Sequence, residues 1–464
     1  MDTKSSADKE KQLRLEREFY EFKVDSVETD VADSADIFDD DAIVTEGRQV
    51  PGYPTLRYMP YGPDDELPYH LLKAIGSDEV LSQNMLFNVL TAYGSGVEYN
   101  DRVTKTPTTN DEILEFRMTN SMRSFFLEQC TDMKHFFFAV AVVILNRKRD
   151  KIVQIRHKDA ISCRFEKADA KGRINHVFFA NWLKVSALTK KDVEAVELLD
   201  ERDPLGDLRV KLGLAYGPDS RKRPRTNAYK FAVVMRFPTP GKRYYPTPYY
   251  TALFRGDWYD IKRLIGKGKK AKIRNHAAIR YQVEVHSDYW TNILETENIT
   301  DPLKQQERIK KEKQNIRDFV TGIHNSGKVW ITGFYVDAYG HEQHMVKITV
   351  LNTAKEGGDW SEDTQEASNM ECYALNIHPN LVGATPGKSQ SNNSGSDKRE
   401  LFTLKQTLET AFRDMLLPVH ELVIWFNGWQ KIVEPKVPVV LLTTLDQKTD
   451  AVKVTPGDGA SSAE

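Results

Sequence analysis

Residues 383–389, Gly-Ala-Thr-Pro-Gly-Lys-Ser, have a composition close to that of a phosphate-binding loop. Such a loop needs four residues between its glycines, because successive backbone N–H groups must curl around the phosphates. Only three residues separate the glycines here, and Pro386 among them has no N–H to donate. The polar residues 390–395 also delay the helix that should begin directly after Lys388. The pattern therefore argues against nucleotide binding.

Two other residue types that often do chemistry also lack the required spacing. In residues 341–344, His-Glu-Gln-His, the histidines are three positions apart instead of four and fall in a predicted turn, so a zinc protease site is not expected. Cys130, Cys163 and Cys372 are scattered with no Cys-x-x-Cys pair, which argues against a disulfide framework or zinc ribbon and suits a reducing compartment. We therefore predict no catalytic residue, no metal site, no cofactor and no enzymatic activity.

Clustered cations are a stronger signal. One cluster without nearby acidic residues consists of Lys267, Lys269, Lys270, Lys272 and Arg274. Such a cluster can hold phosphates by charge, with an affinity that falls steeply with salt. The alternative is a solvated helix end whose cations complement the helix dipole. Lys388, Lys398 and Arg399 give a weaker signal of the same kind. All eight are candidates to face DNA or a channel.

A second basic cluster, residues 221–225 (Arg-Lys-Arg-Pro-Arg), is either a localisation signal or a solvated turn in a Pro-rich loop. The chain as a whole is not basic. Its 464 residues carry 65 Lys and Arg against 67 Asp and Glu, a net charge of −2. This balance excludes a globally basic nucleic-acid binder and leaves only local patches.

Nothing in the sequence predicts a membrane segment. The N-terminus lacks the apolar run of a signal peptide. The longest apolar stretch, residues 136–145, would span only about 15 Å as a helix, half the thickness of a hydrocarbon core. Its β-branched and aromatic residues predict a buried strand instead.

The periodicity predicts an α+β fold. Helical spacing covers residues 71–90, ending before the glycines at 94–96, and residues 111–129. Strands are predicted at 136–145, 152–155, 161–165 and 174–179, with polar turns between successive pairs. Helices that lead into hairpins indicate an antiparallel sheet.

The second half predicts long helices. One covers 249–265, a strand follows at 279–285, and a charged helix of roughly 33 Å covers 301–322. The apolar stripe of this charged helix is narrow, so we expect it to be shared with helices of other subunits. Further helices are predicted at 397–417 and 419–426 and a strand at 437–444. The apolar positions in phase on the first of these helices are Leu401, Leu404, Leu408, Ala411, Phe412 and Met415.

The order of these elements resembles that of tailed-phage portal proteins, the head-to-tail connectors. The likeness rests on residues 244–250 (Tyr-Tyr-Pro-Thr-Pro-Tyr-Tyr) opening a helix, the helix pair with a short strand between them at 249–322, and residues 378–383 (His-Pro-Asn-Leu-Val-Gly). An Asn-containing polar stretch and a helix with Glu-Leu-Phe at 400–402 follow, as in that family. The sequence is most similar to portal-like proteins of phages and prophages of Bacteroidetes-type bacteria.

The resemblance implies an α+β portal architecture with an antiparallel-sheet wing, paired stem helices, a small clip and a helical channel and crown. It implies these modules: a flexible acidic segment at 1–49, wing at 50–246, stem helix at 247–274, clip at 275–300, second stem helix at 301–325, second wing part at 326–379, channel loop and helix at 380–410, crown-like region at 411–454 and disordered tail at 455–464.

The function implied by the resemblance is structural. A ring of about twelve copies at a capsid vertex of the virion would pass double-stranded DNA during packaging and ejection, and would attach the tail. The implied partners are further copies of the chain, the large terminase subunit, the major capsid and scaffolding proteins, a head-tail adaptor and the DNA, with assembly in the bacterial cytoplasm and no membrane. The alternatives are another head-tail or adaptor protein, or a nucleic-acid-processing enzyme.

Overall fold

A computed structural model of the chain describes residues 46–218, 220–275, 281–321, 334–336, 342–350, 360–382 and 395–440. These residues fall into two compact units, a smaller one within 261–363 and a larger one made of 46–260 and 364–440. The α-helices in these ranges are α1 (Leu67–Gly76), α2 (Glu79–Tyr93), α3 (Asp111–Thr119), α4 (Met122–Phe136), α5 (Pro204–Lys211), α6 (Ala252–Arg255), α7 (Asp257–Asn275), α8 (Ser287–Thr296), α9 (Pro302–Thr321), α10 (Trp360–Ala374), α11 (Pro379–Val382), α12 (Gly395–Leu416) and α13 (Pro418–Phe426).

The strands show the same mixture of long and short elements. They are β1 (Arg48–Val50), β2 (Tyr53–Tyr58), β3 (Glu98–Asp101), β4 (Phe138–Leu145), β5 (Ile152–Lys158), β6 (Cys163–Phe165), β7 (His176–Phe179), β8 (Glu194–Leu198), β9 (Lys230–Arg236), β10 (Tyr281–Val285), β11 (Phe334–Val336), β12 (Glu342–His344), β13 (Val346–Val350) and β14 (Val433–Lys436).

A six-stranded sheet in the order β5-β4-β9-β8-β7-β6 organises the larger unit. The predicted hairpins β4–β5 and β6–β7 are present as antiparallel pairs. The expectation of a purely antiparallel sheet is wrong at one place, because β8 and β9 run parallel. Their connection passes through α5 and a long loop, and a parallel pair needs a crossover of this kind.

Strand β4 has an apolar side chain at every position because both faces of the sheet are covered. Ala139, Ala141 and Val143 lie in one core cluster with side chains of α4, β9 and α13. Phe138, Val140 and Val142 lie in the other with side chains of α1, α2 and β7. The prediction of a buried strand is confirmed, although the strand begins at Phe138 and not at residue 136. A continuous apolar run is what two covered faces require.

Each of the two helical segments predicted at 71–90 and 111–129 is in fact a pair of helices. Asp78 begins α2, since its carboxylate accepts from the N–H groups of Val80 and Leu81. Asn120 separates α3 from α4, because its amide donates to the Phe116 carbonyl and its Oδ1 accepts from Ile155 N of β5. Polar side chains that bond the backbone compete with helix continuation, which apolar periodicity does not report.

The predicted helix pair corresponds to α7 and α9, and the residues of both from 261 onward belong to the smaller unit. Helix α7 begins at Asp257 and continues through Gly266 and Gly268 to Asn275, whereas the sequence predicted a helix over 249–265 with the lysine-rich segment after it. Strand β10 pairs antiparallel with β13, and β11 pairs with β12, so Glu342–His344 is strand and not the predicted turn. The module boundaries implied by the resemblance remain a prediction.

Several sequence predictions lie outside the described residues. These are residues 1–45 of the acidic N-terminal segment, the tail predicted as disordered at 455–464, the loop at 383–394 with Lys388, and residues 441–444 of the final strand predicted at 437–444. Residues 437–440 are described and are not in a strand, while the preceding Val433–Lys436 forms β14 and pairs with β3.

Candidate interaction surfaces

Helix α12 buries three charged side chains and exposes two leucines. Lys405, Glu409 and Arg413, spaced four apart along one face, are 4%, 1% and 3% exposed. Leu404 and Leu408 are 57% and 47% exposed. Two of the leucines that the sequence places in phase on this helix therefore lie largely in solvent. An apolar helix face in contact with solvent is the usual mark of an interaction surface.

Glu409 is the centre of the buried charge network that fixes α12. Its carboxylate pairs with Lys134 of α4 at 2.5 Å and with Lys405 at 3.0 Å. The Lys405 ammonium also donates to the Asn376 carbonyl, 3.1 Å away, just after α10. Burial lowers the pKa of Lys134 to about 8, although the Glu409 carboxylate opposes this shift. The ammonium of Lys134 also lies 3.4 Å from the centre of the Phe412 ring.

Arg413 joins the other end of this face to α2. Its guanidinium donates to the Ala92 and Thr91 carbonyls at 3.0 and 2.6 Å and to Gln406. These carbonyls belong to the last turn of α2, where a cation complements the helix dipole. The network of Lys134, Lys405, Glu409 and Arg413 thus connects α12 to α4, to α2 and to the chain after α10, and it dictates which face of α12 points outward.

A groove of about 470 Å³ lies beside the exposed face of α12. Its walls are mainly apolar side chains of α10, α11 and α12. Tyr373 and Met370 on the α10 side are 83% and 39% exposed. The groove and the α12 leucines form one continuous apolar surface, because Leu401, Leu404 and Leu408 also line the groove.

The predicted DNA-facing cations lie on two different helices. Lys267, Lys269, Lys270, Lys272 and Arg274 are all in α7, while Lys398 and Arg399 are in the first turn of α12. Lys267 and Lys270 are exposed. Lys269 is half-buried, and its ammonium donates to the Trp360 carbonyl at 3.4 Å. Lys398 is exposed and Arg399 is half-buried. Their role in facing DNA stays a prediction.

Helix α9, expected to need neighbours, pairs with α8 through polar contacts. Arg308 lies 2.8 Å from both Glu297 and Glu312, and the Tyr289 hydroxyl donates to Glu312 at 3.2 Å. Leu303 is 73% exposed. Most described side chains of α9 are exposed or half-buried, in keeping with its narrow apolar stripe.

The three cysteines and His420 lie in the interior of the fold. Cys130, Cys163 and Cys372 are all buried, and burial raises the pKa of the Cys130 and Cys163 thiols, which disfavours the nucleophilic thiolate. His420 is fully buried and hydrogen-bonded to the Tyr99 hydroxyl at 3.0 Å. Burial, with a smaller contribution from a nearby arginine, lowers its pKa to about 3, so the imidazole is neutral.

Among the described residues, Asp64, Glu66 and His70 form the one group close enough to share a cation. The Asp64 carboxylate is 2.9 Å from His70 Nε2, and its other oxygen accepts from the Glu66 N–H. Asp64 and Glu66 are exposed. These contacts describe a surface turn and give no further sign of a ligand.

No helix in the described part of the chain combines the length and the apolar character needed to cross a membrane.

Among protein-family models, curated proteins and solved structures, only solved structures match the chain. No protein-family model and no curated protein matches the chain. Among solved structures, a chain in the neck of a native GTA (gene transfer agent) particle, computed with C12 symmetry, matches with a TM-score of 0.50 and 14% identity over 85% of this chain and 86% of that one. A chain in the neck of an empty GTA particle, computed with C6 symmetry, gives 0.50 and 13% over 85% and 87%. A chain from the native GTA virion gives 0.49 and 12% over 80% and 83%. The chain therefore shares its fold with chains in the neck of the GTA particle.

Proposed function

We propose that this chain is a portal subunit, a structural protein that forms a ring at a capsid vertex. Double-stranded DNA is packaged and ejected through the ring, and the tail attaches to it. Two independent lines support the proposal: the order of elements in the sequence resembles that of portal proteins, and the fold is that of chains in a particle neck solved with C12 and C6 symmetry.

The observation that carries the proposal is the reversed polarity of α12. Burying three charged side chains while leaving leucines in water is unfavourable for a lone molecule, since apolar surface gains about 25 cal/mol per Å² when it is removed from water. A second copy of the chain, packed against Leu404, Leu408 and the adjoining groove, would supply that burial. In a closed ring each copy packs its exposed α12 face against the next copy, so no copy leaves this face in contact with solvent.

The charge of the chain suits a conduit. A DNA duplex carries one charge per roughly 1.7 Å of axis, so a strongly basic channel would hold it, whereas a near-neutral subunit lets it slide. The net charge of −2 fits this requirement. The portal role brings with it a packaging motor, capsid and scaffolding proteins, and a head-tail adaptor as partners, with a location in the virion and no enzymatic step.

Paired substitutions on α12 test the role of its exposed face. Changing Leu404→Asp and Leu408→Asp places two carboxylates on the apolar surface, and we expect the ring to dissociate into subunits with unchanged circular dichroism. The matched control is Thr403→Asp with Thr407→Asp, because both threonines are exposed positions of the same helix. The control should assemble as the original chain does when masses are measured by light scattering after gel filtration. Equal masses for the leucine variant and the original chain would refute the interface.

A further inference from the structure

The basic residues 221–225, which the sequence left open as a localisation signal or a solvated turn, are joined in the fold by a second basic segment. The β4–β5 turn carries Arg147, Lys148 and Arg149. The Arg149 guanidinium donates to the Thr226 carbonyl at 2.7 Å. Leu145 N, at the end of β4, donates to the Tyr229 carbonyl at 2.9 Å. The turn and the loop therefore lie together at one end of the sheet.

We call this surface the basic edge and define it by seven cations: Arg147, Lys148, Arg149, Arg221, Lys222, Arg223 and Arg225. All are exposed except Arg149, which is half-buried. The definition is limited to the cations at 147–149 in the β4–β5 turn and at 221–225 in the loop. Within the two segments the sequence offers only Asp150 and Asp219 as acidic residues.

Backbone contacts hold the described residues of the loop on both sides of residue 219. Arg225 N donates to the Lys211 carbonyl at 2.9 Å, at the end of α5. Gly213, with φ of +73°, lets the loop approach closely, because a Cβ at this position would lie 2.4 Å from Pro224 N. Gly217 N donates to the Arg221 carbonyl at 3.1 Å and closes a turn. A fixed loop presents its cations without the entropy cost of ordering a mobile segment.

We propose that the basic edge binds the phosphate backbone of nucleic acid, independently of sequence. Five of its seven cations are arginines, whose planar guanidinium groups match phosphate oxygens bidentately. Tyr216 and Tyr229, which are 74% and 54% exposed, lie in the same loop as residues 221–225 and add aromatic surface. The inference does not depend on the ring or on the DNA-facing role predicted for the α7 cations, so it can fail or hold separately from the proposed function.

The test is a titration of the full-length chain with a fluorescent 30-base-pair duplex of mixed sequence, followed by anisotropy between 50 and 200 mM salt. The edge variant combines Arg147→Ser, Lys148→Ser, Lys222→Ser and Arg223→Ser. If each cation neutralises one phosphate, removing four should reduce the slope of log K against log salt by about three to four. We expect the edge variant to lose most duplex binding at the lower salt.

The matched control removes the same charge from dispersed positions: Lys171→Ser, Lys191→Ser, Lys304→Ser and Lys310→Ser, all exposed lysines. It should bind the duplex as the original chain does. Equal loss in both variants would mean a net-charge effect and would overturn the proposal, as would retained binding in the edge variant. A last experiment adds polyglutamate of matched charge as a competitor of the labelled duplex. If polyglutamate competes as well as unlabelled duplex does, the basic edge binds an acidic protein segment and the proposal is overturned. Unchanged circular dichroism shows that each variant is folded.

Discussion

Replacing Glu409 by Gln tests the buried network that orients α12. The substitution keeps the side-chain volume but removes the carboxylate that lies 2.5 Å from Lys134 and 3.0 Å from Lys405. These two lysines are each 5% exposed at the side chain, so their ammonium groups would remain buried without an anion. Breaking a buried pair in this way costs about 3–5 kcal/mol of folding free energy, because the remaining charge is not hydrated.

Glu112→Gln is the matched control. It makes the same chemical change at a carboxylate 2.5 Å from Lys151, but there the two side chains are 52% and 48% exposed. Solvent screens such a pair, and we expect a loss below about 1 kcal/mol. The same contact distance in two environments therefore isolates the effect of burial.

Urea denaturation followed by circular dichroism measures both losses, and hydrogen exchange of the α12 amides locates the effect. Glu409→Gln should lower the unfolding midpoint and speed exchange in α12, with Glu112→Gln close to the original chain. If the two variants lose the same free energy, the reasoning from burial is refuted, and with it the physical account of why α12 exposes its leucines.

Two further predictions concern single residues. His420 has a pKa of about 3 when folded and about 6.5 when unfolded, so acid protonates the unfolded chain before the folded one. Its effect on the free energy of unfolding is therefore absent above pH 6.5, and the protein loses stability as the pH falls from 6.5 towards 3. We expect the free energy of unfolding, measured by urea denaturation, to fall by about 2 kcal/mol between pH 7 and pH 5. This loss should be absent in His420→Gln and retained in the His70→Gln control. Gly213→Ala forces a Cβ against Pro224 at positive φ, and should cost roughly 1–3 kcal/mol and weaken duplex binding in the anisotropy titration. A Gly213→Ala chain with unchanged stability and binding would contradict the close packing of the loop.

The sequence predicted the elements best where the signal is local. Residues 138–145 form the expected buried strand, and Pro302–Thr321 closely matches the predicted charged helix. The predicted helix boundaries were wrong where side chains form hydrogen bonds with the backbone, as Asn120 does between α3 and α4. The parallel β8–β9 pair was missed because strand direction depends on a crossover that periodicity does not encode.

The orientation of α12 was not predictable from apolar spacing. The sequence placed the leucines in phase but did not show which face of the helix is buried, because that face is set by Lys134, which is 275 positions away from Glu409 in the chain. A signal was present in the sequence: Lys405, Glu409 and Arg413 recur every four residues, a charged stripe on one helical face. What the sequence did not contain was the position of the partners on α4 and α2.

The basic edge shows the same limit. The sequence identified residues 221–225 as a cluster, and the fold added Arg147 and Lys148 from a hairpin more than 70 positions earlier. Clusters that join distant segments are recognised only when the register of the strands between them is known. Here the antiparallel pairing of β4 with β9 supplies it.

The mass of the purified chain tests the central claim most directly. Twelve copies of 53.1 kDa make a ring of about 640 kDa. Light scattering over a wide range of protein and salt concentrations should detect a particle of this mass. A mass of 53.1 kDa under every condition would contradict the account.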